Sequence, residues 1–196
     1  MLKEKLKNHK IILASGSPRR QQFFKDLDLD FEIRVKEIEE IYPSHLKSFE
    51  ITDFLAALKA SVFENELLKN EILITSDTIV WHNNLALGKP KNYDEAFRML
   101  TSLSESTHEV FTSFCVKTKT QTNIFNDVTK VTFNKLSPAS IQYYLENYQP
   151  YDKAGAYGIQ DWIGLIGVEK IDGSYTNVMG LPTSKVFAFL NDLVQI

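Results

Sequence analysis

The stretch from Ile11 to Val35 is the strongest constraint on what this chain can fold into. Ile11, Ile12, Leu13 and Ala14 form an apolar run, "SGS" interrupts it, and "PRRQQFFKDL" follows. Ser17 suits a helix N-cap, and Pro18 suits the first helical position, where its missing N–H is no loss. Phe23, Phe24 and Leu27 then recur on one helical face, and "FEIRV" (Phe31 to Val35) returns to the alternation of a strand. The chain therefore opens as a βαβ-like unit, and a fold that starts this way needs more strands and more helices to cover it.

The rest of the sequence supplies them. Ile51, Phe54, Leu55, Leu58 and Val62, with Leu67 and Leu68 further on, predict one long amphipathic helix from Ser48 to Asn70. "EILIT" (Glu71 to Thr75) predicts a short buried strand ending in "SDT", and "IVW" and "LALG" flank a hairpin turned at Asn83 and Asn84. Asn92, with Glu95 three residues on, has the form of a capping box. "EVFTSFCVKTK" and "TNIFNDVTKVTFNKL" predict two long strands around a turn near Gln121, and Ser137–Pro138 starts another helix. Gly155, Gly158, Gly164 and Gly167 are expected at strand bends or close backbone approaches, and a closing helix is expected from Pro182 to Val194. Together these predict one domain of the α/β or α+β class spanning residues 1–196, with a long central mixed β-sheet, helices, and two lobes flanking a cleft.

Charge and cysteine content narrow the function. In 196 residues, 22 Lys and Arg face 25 Asp and Glu, a net charge of -3, which argues against nucleic-acid or anionic-membrane binding by the whole chain. The single cysteine, Cys115, rules out a disulfide within the chain and suggests a reducing compartment. It stands in the apolar "TSFCVK", where a small core residue is the simpler reading than a nucleophile. "MLKEKLKNHK" has charge but no apolar stretch behind it, and no run approaches the ~18 apolar residues that span a bilayer. A cytoplasmic protein without membrane association is expected.

Two places carry polar residues where open α/β sheets bind ligands, beyond strand ends. The first is Ser15 to Arg20. Arg19 and Arg20 stand in the first turn of a helix, where the dipole disfavours cations by ~0.3 to 1 kcal/mol each. Either helix N–H groups, the two guanidiniums and the Ser15 and Ser17 hydroxyls surround phosphate oxygens, or the arginines pair with local carboxylates on a solvated helix end. The second place is Asp77 with Thr78. Asp77 is either a turn aspartate or a carboxylate held rigidly by an apolar strand, and Lys89 of "GKP" lies across the expected hairpin as a phosphate ligand or a plain turn lysine. Glu37, Glu39 and Glu40 form an acidic loop, and one of them can join Asp77 in holding Mg2+, which takes one or two carboxylates plus substrate phosphates. His9, His45, His82 and His108 have no zinc spacing, and His108 reads as a structural hydrogen-bonding residue. Tyr157 and Trp162 can stack a base or pack in the core.

These pieces resemble the Maf family of nucleotide pyrophosphatases. The blocks are "LASGSPRR", "EIEE", Lys59 of "ALKA", "SDTIV", "GKP", "STHEV", "DKAGAYGIQ" and "GSYTNVMGLP", in the family's order from Leu13 to Pro182. Within the family, "SGSPRR" with "GAYGIQ" resembles the branch that hydrolyses dTTP and UTP. The resemblance implies an inosine-triphosphatase-like fold and cleavage of a nucleoside triphosphate to the monophosphate and pyrophosphate. It implies Asp77 as general base, Arg19, Thr78 and Gln160 for nucleotide selection, and Ser15, Ser17, Arg20, Lys59 and Lys89 around the phosphates. It further implies Glu40 with Asp77 at a divalent cation, Mg2+ or Mn2+, and a homodimer. Ser76 departs from the family's usual alanine, and "DWIGLIGVEK" is less glycine-rich than is common after Gln160. The competing expectation is a nucleotide-binding regulator of cell division acting through a protein partner, which tight binding without turnover would distinguish. A nucleic-acid-binding module ranks below both, because no basic stripe occurs.

Overall fold

The computed structural model of the chain describes residues 1–193. A short α1 (Leu2–Lys5) leads into β1 (Lys10–Leu13), α2 (Pro18–Asp26) and β2 (Phe31–Ile33). β1 and β2 are parallel, with Ile11 opposite Phe31, so the opening is a βαβ unit in fact. β2 ends at Ile33 and does not reach Val35. β1 has finished at Leu13, whose carbonyl takes a last bond from Arg34 N, and Ile33 and Val35 are both about half exposed, so neither pairing nor burial extends the strand.

α3 (Phe49–Ser61) is shorter than the helix expected to Asn70. Past Ser61 the bonds become i to i+3 turns, Phe63 N to Ala60 O and Glu66 N to Phe63 O, and Leu68 N donates to the Glu71 carboxylate. These turns bring the chain round to β3 (Glu71–His82) while Phe63 and Leu67 still reach the apolar cluster of Ile12, Ala56, Ala60, Leu73 and Cys115. β3 in turn is longer than expected. It runs unbroken through "SDT" for twelve residues, and Asp77 therefore lies within a strand and not beyond its end.

β3 turns at Asn83 and Asn84, at φ 49° and 62°, into the antiparallel β4 (Leu85–Leu87). Two left-handed residues match the hairpin geometry that asparagine tolerates. α4 (Tyr93–Leu103) follows, capped by Asn92, which accepts from Glu95 N; the Glu95 carboxylate accepts from Lys91 N. Then come β5 (Thr107–Lys117), β6 (Thr122–Phe133), α5 (Pro138–Tyr148), a single 3₁₀ turn at Ala154–Ala156, α6 (Trp162–Gly167), β7 (Val168–Asp172), α7 (Tyr175–Val178) and α8 (Thr183–Leu193). The expected end of the last helix, Val194, lies outside the described residues.

Seven strands form one mixed sheet in the order β2-β1-β3-β5-β6-β7, with β4 also on β3. β1 is parallel to β2 and β3, whereas β3–β4 and β6–β7 are antiparallel. The chain divides into two compact units, with boundaries inside β3, β5 and β6 and between α7 and α8. The first comprises Met1–Asp77, Thr112–Asp127 and Gly180–Ile196; the second comprises Thr78–Phe111 and Val128–Met179.

The second unit has its own core, in which Leu100, Leu103, Val110, Phe133, Tyr144, Tyr157 and Ile163 are buried together. Gly155, Gly158, Gly164 and Gly167 lie at close approaches, but not at strand bends: Gly155 is in the 3₁₀ turn and Gly164 and Gly167 are in α6. At Gly155, with φ 68°, a β-carbon would stand 2.7 Å from Val80 Cγ2, and at Gly164 it would stand 2.0 Å from the Ile159 carbonyl oxygen. No helix among the described residues is long and apolar enough to cross a membrane.

Candidate functional site

β1 delivers the first part of the site. Its last residue is followed by Ala14, whose N–H bonds to Ile74 O, and then by a tight serine-built turn. The buried Ser15 hydroxyl accepts from Ser17 N at 3.2 Å, and the Ser17 hydroxyl accepts from Arg20 N at 3.5 Å. Gln21 Nε2 reaches back to Ser15 O. Both serine oxygens thus act as acceptors in turning β1 into α2, and each hydroxyl keeps its own proton to donate.

This turn sets Arg20 in the first turn of α2, where its side chain leaves the helix. Nε donates to Gly180 O at 2.7 Å and Nη1 donates to Ser76 O at 2.8 Å. The Ser76 carbonyl is available for a reason visible in the sheet register. β1 pairs with β3 only through Ile74, and β4 begins to pair at Val80, so Thr75–Ile79 run between those two pairings. Burial pushes the Arg20 guanidinium down to about 10, against the favourable charge of Asp77 and Glu40 and with Arg19 adding repulsion. Arg19 is half-buried beside it.

Asp77 sits on that stretch of β3, buried, and Lys59 of α3 reaches it. Lys59 Nζ lies 2.5 Å from Asp77 Oδ1 and 2.9 Å from Glu40 Oε1, so one ammonium joins a buried carboxylate and a half-exposed one. Burial raises the Asp77 carboxyl above the ordinary aspartate value, and the Lys59 and Arg20 charges oppose the rise. Arg20, Glu40, Lys59 and Asp77 therefore form one electrostatic cluster, and Ser15 and Ser17 lie on the turn that presents Arg20. All six belong to the first unit.

The alternatives left open for the arginines take a different form here. Arg20 is held by main-chain carbonyls from two distant segments, which no reading of "SGSPRR" alone reveals. The signal was present in the opposing helix dipole, which required an electronegative partner, but not in anything that named Ser76 and Gly180.

Thr78, Lys89 and Gln160 lie in the second unit. Thr78 is half-buried on β3, next in sequence to Asp77. The β3–β4 pairing ends at Leu87; Lys89 follows it as an exposed residue, and Gly88 O accepts from Gly155 N. Gln160 follows a segment fixed by Tyr144, whose hydroxyl donates to Asp161 Oδ2 at 2.7 Å and accepts from Gly158 N at 3.1 Å. A β-carbon on Gly158 would lie 2.9 Å from Gln160 Nε2, and Gln160 Oε1 is buried without a hydrogen-bond partner.

The remaining sequence candidates resolve into packing. His108 Nε2 shares a 2.7 Å hydrogen bond with the Tyr157 hydroxyl, and both rings meet Phe133 edge-on in the second core. Burial and the neighbouring His82 hold His108 down at about 3, and it is neutral near pH 7. Tyr157 is core, and Trp162 packs at a tilt against Tyr143. Cys115 is fully buried, and its thiol is pushed up to about 11, so it is no nucleophile.

Asp77 and Glu40 both reach one ammonium, so two carboxylates converge where a cation is already accommodated. Among the described residues no group of three or more His, Cys, Asp or Glu side chains could hold a metal ion. Two carboxylates without histidine or cysteine fit a hard cation that takes its other ligands from phosphates and water, and do not fit zinc.

Comparison with known proteins follows the same line. Residues 10–193 match the family model described as Maf-like protein. A dTTP/UTP pyrophosphatase of Flavobacterium johnsoniae is 70% identical over 194 residues, covering 99% of this chain and 100% of that protein. Another so named, from Christiangramia forsetii, is 54% identical over the whole of both chains. The solved structure of the Staphylococcus aureus Ham1 protein shares the fold, with a TM-score of 0.54 at 16% identity, covering 94% of this chain and 99% of that one.

Proposed function

Because this chain belongs to the Maf-like protein family, we propose that it is a nucleoside triphosphate pyrophosphatase that hydrolyses dTTP and UTP to the monophosphate and pyrophosphate. The full-length 70% identity to a protein of that name supports the substrate class. The observation that carries the chemistry is Asp77, a buried carboxylate of raised proton affinity set between two cations.

In this reading Asp77 is the general base. It takes a proton from the water that attacks the α-phosphorus, and a carboxyl raised towards neutrality by burial is a stronger base than an exposed aspartate. Positioning and charge neutralisation supply most of the remaining catalysis. Arg20 and Lys59 stand ready in the cluster, the Ser15 and Ser17 hydroxyls donate at the helix N-terminus, and Lys89 adds a further cation to the phosphates. Glu40 and Asp77 would hold Mg2+ or Mn2+, which when bound contributes positive charge to the phosphate oxygens. Arg19, Thr78 and Gln160 select the nucleotide. The protein works in the cytoplasm as a homodimer with no membrane or nucleic-acid partner, residues 1–196 forming a single domain.

The deciding experiment incubates purified protein and Mg2+ or Mn2+ with a panel of triphosphates and measures monophosphate and pyrophosphate. Release of dTMP from dTTP and UMP from UTP is expected. Binding without turnover, or full activity in Asp77→Asn, rejects the assignment.

A further inference from the structure

Arg20 Nε and Nη1 are tied to two carbonyl oxygens that lie 160 and 56 positions along the chain, Gly180 O and Ser76 O. The Ser76 hydroxyl reaches the same Gly180 oxygen at 3.4 Å. Gly180 has φ 110°, where a side chain is strained, and its residue is buried. Three segments thus meet at one guanidinium: the start of α2, the middle of β3 beside Asp77, and the turn ahead of α8. All three belong to the first unit.

We propose that Gly180 is a positioning residue that acts through Arg20: its carbonyl, with that of Ser76, sets the guanidinium at the angle from which it meets the phosphates. The carbonyls are neutral acceptors, so what they contribute to the guanidinium is direction. A guanidinium is a rigid planar donor set, and fixing two of its N–H groups fixes the directions of the others. The Ser76 hydroxyl adds a second contact to the Gly180 oxygen, so that oxygen is held from two sides. The inference rests on the proposed triphosphate chemistry, but its geometry can be tested apart from it.

The chain has four arginines, Arg19, Arg20, Arg34 and Arg98, so a spectrum of the Nε–H groups labelled with 15N is simple to assign. In the native protein, the Arg20 Nε–H signal, assigned by through-bond correlation from its own backbone amide, should exchange with water at least tenfold more slowly than that of a free guanidinium. Exchange at the free rate overturns the proposal, and this holds whether or not any variant folds. The second arm is a double-mutant cycle with Gly180→Ala and Arg20→Lys, read as the dissociation constant of inorganic pyrophosphate and as kcat/KM for dTTP. Gly180→Ala should weaken pyrophosphate about tenfold in the native background and less than about twofold in the Arg20→Lys background. Equal losses in both backgrounds mean a general structural effect and overturn it, as does a folded Gly180→Ala with native affinity. Native protein that binds pyrophosphate but leaves dTTP intact rejects the pyrophosphatase reading alone.

Discussion

Asp77 combines two properties that pull against each other, burial, which favours its neutral form, and contact with Lys59, which favours the charged one. A structural ion pair would have no need to bury one partner and leave the second carboxylate, Glu40, half exposed. If Asp77 accepts the proton of the attacking water, Asp77→Asn should cut dTTP turnover on the order of 10² to 10⁴-fold, the size of a lost general base. Pyrophosphate binding, measured by calorimetry without added metal, should survive the same change, since Arg20 and Lys59 remain.

His108 supports a prediction of a different kind at the same scale. Burial lowers its proton affinity from 6.5 to about 3. As pH falls through 6.5, the unfolded chain takes up a proton that the folded chain refuses, so the stability this residue allows is complete above pH 6.5 and drains away towards about pH 3. The slope in that window reaches about 1.4 kcal/mol per pH unit. Urea midpoints for the native protein and His108→Gln, compared from pH 7 to pH 4.5, should converge as pH falls. Parallel curves would show that His108 titrates normally.

At the scale of elements, the residues that mattered were those whose environment comes from elsewhere in the chain. The helix start at Ser17–Pro18, the asparagine hairpin and the Asn92 cap were legible because the chemistry that makes them is local. The extent of β3 was not. "SDT" looks like a strand end by composition, but Ser76 and Asp77 are buried and β3 lies between β1 and β5 in the sheet, and burial with pairing overrides local propensity. α3 failed in the opposite direction: Leu67 continues the apolar pattern, yet the chain leaves the helix and buries it through turns.

The glycines of the second unit follow the same logic. Their crowding in sequence signalled close approach, whereas the approaching groups, Val80 at Gly155 and the Ile159 carbonyl at Gly164, appear only in the fold. Gly155→Ala adds a methyl 2.7 Å from Val80 at a left-handed φ, and should destabilise the protein by about 1 to 3 kcal/mol. A denaturant midpoint unchanged from the native protein would contradict that geometry.

For the molecule as a whole, the proposal that Arg20 and Lys59 receive the phosphates predicts that an anion of that kind stabilises the fold. Pyrophosphate at about 100 times its dissociation constant should add ~2.7 kcal/mol to the unfolding free energy, visible as a rise in Tm. Arg20→Lys should shrink that rise at the same concentration, and an equal rise in both proteins would place the anion elsewhere.

The amino-acid sequence by itself determined the class of fold, the family and the residue types of the site, because periodicity, caps and turns are short-range and the motif blocks stand in order along the chain. Tertiary structure alone decided which of those residues meet. Lys59 bridges Glu40 and Asp77, and Arg20 is bonded to Ser76 and Gly180, through contacts spanning from 18 to 160 positions. Contacts of that range depend on the sheet register, in which the β1–β3 pairing ends at Leu13 and Ile74 and leaves the next stretch of β3 to receive them. The question raised by two arginines at a helix N-terminus is thus partly answered before any ligand arrives. For Arg20, the electronegative partners include two backbone oxygens, and their directional hold on the guanidinium is what a linear reading of "SGSPRR" had no means to supply.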